Sequence, residues 1–334
     1  MGTPKTPNLC VTRPTQNAHL HKVNSAFGLV ASLDLGVFRS AHMNIMPDKA
    51  RKTSKTSIYI ENERDVADER AVLALVNLSC GYRAEAPLIE GLSLEVPLGG
   101  ILCILGRNGI GKTTLFRTLL GTLPPLGGDA RIGGRSLFTM TRREKAGLIA
   151  YVPQSHEPPF AYTAFDVVLM GRAGLMGAFA APSPSDREKA EEALETLGVG
   201  HLSRRPYTKI SGGERQMVLL ARALCQGADY MFLDEPAASL DVANRLRVLG
   251  VLKDLADSGK GVAFTSHDPD HAFQTGAEVA AICAAGRVIT GPAEAIITEE
   301  TAAALYGVRA AVASISIDDG KGGRDAKVFV PFLD

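Results

Sequence analysis

Gly106-Arg107-Asn108-Gly109-Ile110-Gly111-Lys112-Thr113 is the stretch whose reading decides the fold. It fits GxxxxGK[ST], follows the apolar run Gly100-Ile101-Leu102-Cys103-Ile104-Leu105 and opens a helical pattern over Lys112 to Leu120. A short continuous apolar run reads as a strand buried on both faces. Strand, glycine-rich loop and helix in that order separate a phosphate cradle from a chance glycine-rich turn. The glycines let backbone N–H groups converge on phosphate oxygens, and the helix start adds partial positive charge. Lys112 is the residue expected to reach the β- and γ-phosphates, and the Thr113 hydroxyl is expected to ligate Mg²⁺. The candidate nucleotide contacts here are Gly106, Asn108, Gly109, Gly111, Lys112, Thr113 and the adjoining Thr114.

Outward from this loop, strand-like and helical runs alternate. Leu73 to Leu78 and Leu88 to Val96 read as half-buried strands; Leu148 to Val152, Tyr230 to Leu233, Val262 to Thr265 and Val279 to Cys283 read as apolar ones. Between them Ala164 to Met170, Asp186 to Leu197, Gly213 to Leu224 and Val242 to Leu255 carry helical periods. Alternation of this kind predicts an α/β fold with a mostly parallel sheet covered on both faces. No internal repeat interrupts it.

Composition narrows the class. Hydrophobic residues make up 46% and charged residues 22% of the 334, so a buried core is feasible. Lys plus Arg equals Asp plus Glu at 36 each, which gives no reason to expect a nucleic-acid partner. The cysteines Cys10, Cys80, Cys103, Cys225 and Cys283 form no CxxC pair, so neither a zinc site nor a disulfide framework is expected. No apolar run reaches the roughly 18 residues of a membrane-spanning helix, and Ala26 to Phe38 is too short and carries Asp34. Residues 1–70 stand apart. Up to Lys55 they hold eight Lys or Arg against Asp34 and Asp48, without a sustained period, and read as a disordered extension. The alternatives are a basic arm for anionic headgroups, or sequence preceding a true start at Met43 or Met46.

A second acidic motif completes the site. Tyr230-Met231-Phe232-Leu233-Asp234-Glu235 is an apolar strand ending in two carboxylates. A buried strand delivers Asp234 beside the phosphate loop, where it serves the metal. Glu235 then faces the γ-phosphate and orients or deprotonates the attacking water.

With these motifs in order, and Ile210-Ser211-Gly212-Gly213-Glu214 before the helical run Arg215 to Leu224, the chain resembles an ABC-transporter ATPase subunit over about Leu73 to Val308. The signature resembles LSGGQ, with Glu214 in place of the common Gln, and Ala237-Ala238 stand where Thr-Ser is frequent. The resemblance implies a RecA-like P-loop NTPase core, an antiparallel β subdomain and a helical signature subdomain at about 160–225, within an ATP-binding domain over 71–310; residues 311–334 form a tail, with a terminal strand as one reading. It implies that Ser211, Gly212, Gly213 and Glu214 cap the γ-phosphate of ATP held by the opposite copy of a homodimer. Gln154, in Tyr151-Val152-Pro153-Gln154, matches the glutamine that senses Mg²⁺. His267, in Thr265-Ser266-His267-Asp268, matches the switch histidine, Tyr82 the aromatic on adenine, and Asp241 the loop at the dimer interface. The remaining histidines, including His156 and His271, lack metal spacing and are expected at the surface.

The segments Pro159 to Thr163, Asp166 to Arg172, Ser266 to Ala272 and Leu305 to Val308 resemble importers of iron complexes (ferric siderophores, haem) and vitamin B12. Some molybdate importers share them, and a soluble iron–sulfur assembly ATPase is a further alternative. The resemblance implies two polytopic permease subunits and a substrate-binding protein in separate chains, with this subunit peripheral on the cytoplasmic face of the inner membrane. Phe160, Tyr162 and Met170 are candidate permease-docking residues, or else core of the helical region.

Overall fold

The computed structural model describes residues 72–154, 162–177, 180–317 and 324–332. The expected N-terminal extension, His156 and Phe160 lie outside them. The first layer is antiparallel. Strands β1 (Leu73–Cys80) and β2 (Ile89–Val96) pair directly. Leu73 and Leu75 are buried on one face of β1, and so are Leu78 and Cys80. The three-residue step from Leu75 to Leu78 breaks strict alternation because the register slips there, at Asn77 with φ +48. Asn accepts a left-handed φ more readily than most residues.

β3 (Ile101–Leu105) leads through the phosphate loop into α1 (Lys112–Leu119). β4 (Gly127–Ile132) and β5 (Arg135–Ser136) return to the first layer and give the order β2-β1-β4-β5. The chain continues as α2 (Arg142–Leu148), β6 (Ile149–Val152), α3 (Ala164–Leu169), α4 (Pro184–Thr196), α5 (Gly212–Gln226) and β7 (Tyr230–Leu233). After α6 (Val242–Asp257) come β8 (Gly261–Ser266), α7 (Asp270–Thr275), β9 (Glu278–Ile282) and β10 (Val288–Pro292). The second sheet has the order β10-β9-β3-β8-β7-β6, parallel except for β10, with β3 and β8 at its centre. Burial on both faces explains the continuous apolar runs. Every side chain of β7 and β8 is buried. The expected strands and helices agree with the observed ones to within about two residues at their ends.

One tyrosine ties the two sheets together. Tyr230 is fully buried; its hydroxyl accepts from the Leu73 N–H at 2.8 Å and donates to the Val96 carbonyl at 2.9 Å. Burial pushes its pKa up to about 12, so it stays protonated and able to donate.

The helices α3, α4 and α5 pack on one another. Gly171 lies so close to α5 that a Cβ there would collide with the Arg222 carbonyl oxygen. Next to it, Arg172 donates to Asp186 near the start of α4 at 2.8 Å and to the Gln226 carbonyl at the end of α5 at 2.9 Å. The Ser183 hydroxyl, then the Arg172 guanidinium, holds the Asp186 carboxyl well below the usual range. Beyond β10, α8 (Ala293–Ile296) and α9 (Glu299–Tyr306) precede a hairpin of β11 (Ala310–Ile317) and β12 (Arg324–Pro331). The tail therefore holds two strands, because Ala310 to Ile317 finds its partner in the alternating Asp325 to Val330. Among the described residues no helix is long and apolar enough to cross a membrane.

Tyr230→Phe keeps the ring but strips the Leu73 N–H and the Val96 carbonyl of this buried partner. The expected cost is about 1–3 kcal/mol. A lower urea midpoint at unchanged slope is the signature to look for.

Candidate functional site

The phosphate loop forms at the carboxyl end of β3. Gly109 has φ +80 and Gly111 φ +123, values a side chain would strain, and Gly111 caps the N-terminus of α1. A Cβ on Gly106 would sit 3.0 Å from the Ile110 side chain and 3.2 Å from the Ile282 carbonyl, so the loop also needs its first glycine. Asn108 and Gly109 are exposed at the tip, Thr113 is half-buried, and Thr114 is buried within α1.

Lys112 is 5% exposed and its ammonium is fully engaged: Gly106 O at 2.7 Å, Arg107 O at 3.2 Å and Glu235 Oε1 at 3.1 Å. Glu235 comes from the end of β7, where its backbone turns through φ +48. Its other carboxylate oxygen accepts from Gln154 Nε2 at 3.1 Å and stands 3.5 Å from His267 Nδ1. Three residues expected from separate motifs, Lys112, Gln154 and His267, thus meet on the carboxylate of a fourth, Glu235.

Asp234 is buried and is held by a residue the motif reading missed. Thr265, on β8, donates its hydroxyl to Asp234 Oδ1 at 2.7 Å and accepts the Glu235 N–H at 2.7 Å. Tyr151 donates to Asp234 Oδ2 at 3.4 Å, and burial beside that carboxylate pushes the Tyr151 pKa up to about 12. Thr265 left a trace in the sequence: a hydroxyl residue ending an apolar strand, two positions before His267.

Tyr82 is 62% exposed, and its hydroxyl accepts from Arg117 of α1 at 3.2 Å. The Thr114 hydroxyl, then Arg117, draws its pKa down. The aromatic therefore stands over the phosphate-loop helix. Ser211, Gly212, Gly213 and Glu214 lie elsewhere, at the start of α5. Ser211 and Glu214 close a capping box, Ser211 N to Glu214 Oε2 at 2.7 Å and Glu214 N to Ser211 Oγ at 3.3 Å. A Cβ on Gly213 would collide with the Asn244 amide, and Asn244 is capped by Asp241 at 2.8 Å. Signature and Asp241 thus form a second group beside the start of α6. His271, expected at the surface, is instead buried: its Nδ1 lies 2.9 Å from Ser266 Oγ, and α7 folds it under the loop that carries His267. Of the docking candidates, Tyr162 is half-buried against the core and Met170 is 37% exposed.

Among the described residues no three His, Cys, Asp or Glu side chains gather to hold a metal alone. The Thr113 hydroxyl, the Gln154 amide oxygen and the Asp234 carboxylate are hard oxygen donors. That set fits Mg²⁺, which keeps water and phosphate oxygens as its other ligands.

A family model described as ABC transporter matches residues 89–238. The manganese transport system ATP-binding protein MntB of Bacillus subtilis is 37% identical, over 70% of this chain and 92% of its own length. The chain belongs to the ABC transporter ATP-binding family. Proteins of this family hydrolyse ATP to drive transport, and this chain is such an ATPase. The hemin import ATP-binding protein HmuV of Gloeobacter violaceus is 36% identical, over 67% of this chain and 84% of its own. Similar relatives are named for molybdate, zinc and cobalamin transport. A solved structure described as a metal-chelate type ABC transporter, facing inward, superimposes with a TM-score of 0.70 at 32% identity, covering 79% of this chain and 98% of that one.

Thr265→Val preserves shape and removes the hydroxyl between Asp234 and Glu235. Stability should fall by about 1–3 kcal/mol and ATP turnover with it; a melting curve and a phosphate-release assay on the same sample test both.

Proposed function

We propose that the chain energises an importer of iron complexes (ferric siderophore or haem) or cobalamin, working as a homodimer with two permease subunits and a substrate-binding protein. The observation that carries the ATPase part is the convergence of Lys112, Gln154 and His267 on Glu235. Gly106, Asn108, Gly109, Gly111 and Thr114 line the phosphates, and Tyr82 stacks on adenine. Thr113, Gln154 and Asp234 hold Mg²⁺, which when bound neutralises phosphate charge. Lys112 exchanges Glu235 for phosphate oxygens, and Glu235 turns to a water. As the water oxygen bonds to the γ-phosphorus, Glu235 takes its proton and the bond to the β–γ bridging oxygen breaks, giving ADP and phosphate. His267 donates to the γ-phosphate. Ser211, Gly212, Gly213 and Glu214 of the second copy close the site, with Asp241 at the seam.

The permease contact is assigned to a groove of about 760 Å³ lined by Met170, Arg142, Lys145, Tyr151, Arg222 and Gln226. Tyr151 is one wall of it and donates to Asp234, so a segment seated there reaches the metal carboxylate through one side chain. Of the two docking candidates that are described, Met170 lines this groove and Tyr162 packs against the core. A molybdate importer is the second reading, since a molybdate relative of Haemophilus influenzae is 40% identical over 199 residues.

Glu235→Gln should bind ATP, lose hydrolysis by about two orders of magnitude or more, and run as a dimer on a sizing column when ATP and Mg²⁺ are present. Near-parental turnover would remove Glu235 from the water-activating role. Lys112→Ala should lose nucleotide binding or turnover. Uptake of labelled haem, ferric siderophore, cobalamin and molybdate by cells with and without this gene decides among the cargoes.

A further inference from the structure

His267 carries the proposed contact to the γ-phosphate, yet its side chain is 49% exposed and stands 3.5 Å from Glu235. A side chain so placed is aimed by its backbone. On the upstream side that backbone is β8, fixed in the sheet. On the downstream side it is the turn Ser266 to His271. There Ser266 Oγ accepts the Asp268 N–H at 2.9 Å and lies 2.9 Å from His271 Nδ1 and 3.1 Å from the Asp268 carbonyl oxygen. Asp268 Oδ1 accepts the Asp270 N–H at 3.0 Å. Its Oδ2 faces His271 Nε2 at 3.4 Å and, from α6, Arg245 Nη1 at 3.6 Å.

The protons of this cluster can be assigned. Burial draws the His271 pKa down, against the pull of Asp268, so the ring is neutral at neutral pH with one N–H and one lone pair. A lone pair on Nε2 would oppose the Asp268 carboxylate, so the proton belongs on Nε2. Nδ1 then accepts the Ser266 hydroxyl proton, and Ser266 Oγ is left to accept the Asp268 N–H. Each bond fixes the next, and together they clamp the backbone on both sides of His267.

Stability alone does not account for this imidazole. Nε2 is buried without a well-formed hydrogen bond, an arrangement that costs free energy and that an apolar side chain of similar size would avoid. We propose that His271 is a positioning residue: through Ser266 and Asp268 it holds the turn that aims His267. This rests on the reading of His267 as the γ-phosphate contact.

The test uses the full-length chain with ATP and Mg²⁺. His271→Ala should lower kcat by about ten- to hundred-fold, the scale of a misplaced catalytic group, with KM for ATP within about twofold of the parent. His271→Asn, whose amide reaches Ser266 from the Nδ1 position, should recover most of the loss at a similar melting temperature to the alanine variant. A folded His271→Ala protein with parental kcat, or with a raised KM alone, overturns the proposal, as does an Asn variant no better than Ala. If His271→Ala does not fold, Ser266→Ala removes the same bond and is judged by the same criteria. His267→Ala is measured alongside: retained turnover there sinks the reading of His267 itself, whereas lost turnover there with parental turnover in His271→Ala sinks only the positioning role.

Discussion

Glu235 is the residue on which the arrangement turns. It leaves a fully buried strand through a left-handed backbone conformation, and its carboxylate meets a buried ammonium, an amide and an imidazole. A buried charge pair is costly to break from one side, on the order of 3–5 kcal/mol, because the surviving charge is left unpaired. Lys112 and Glu235 therefore hold each other in the pocket. Their neighbours follow from that. Thr265 must donate to Asp234 and accept from Glu235, which sets β8 against β7, and β8 in turn is paired to β3, the strand that launches the phosphate loop. The parallel sheet is the device that brings three distant pieces of sequence to one carboxylate.

Most of this was legible from the sequence, for reasons that vary by residue. The strand ends and glycine-rich turns were readable because burial on both faces leaves continuous apolar runs, and left-handed turns leave glycine. Gly109 and Gly111 do have the positive φ that a phosphate loop needs. The supporting residues were hidden because their role depends on pairing between strands far apart in sequence. Thr265 is an ordinary strand residue until β7 lies beside it. His271 was expected in water because no partner stood at ligand spacing, and it is buried because α7 turns it back beneath Ser266. The C-terminal hairpin shows the same limit. Its register is long-range, and the Phe329 N–H donates to Asp270 at 2.8 Å across 59 residues, a contact that no local pattern encodes.

The capping box at Ser211 raises a question of specificity. Thr141 with Glu144, Thr163 with Asp166 and Ser183 with Asp186 close the same reciprocal pair at other helix starts. Geometry at Ser211 is thus compatible with a plain helix cap, and Glu214 serves it as well as a glutamine would. What differs is the residues between. At the other three starts the intervening positions carry side chains; here they are Gly212, exposed, and Gly213, pressed against Asn244. The box uses the Glu214 N–H, and Arg215 N–H returns to the Ser211 carbonyl, which leaves the N–H groups of the two glycines outside the helix's own ladder. Gly212, exposed and with nothing packed on it, is open to close approach by an anion. The two glycines stand on a different element from Lys112, and the hydrogen bonds of Ser211 and Glu214 are made to each other. A helix start that is stable by itself, opens on an exposed glycine and belongs to a different element from the phosphate loop suits a phosphate brought by another molecule, and that is the physical argument for dividing each proposed ATP site between two copies.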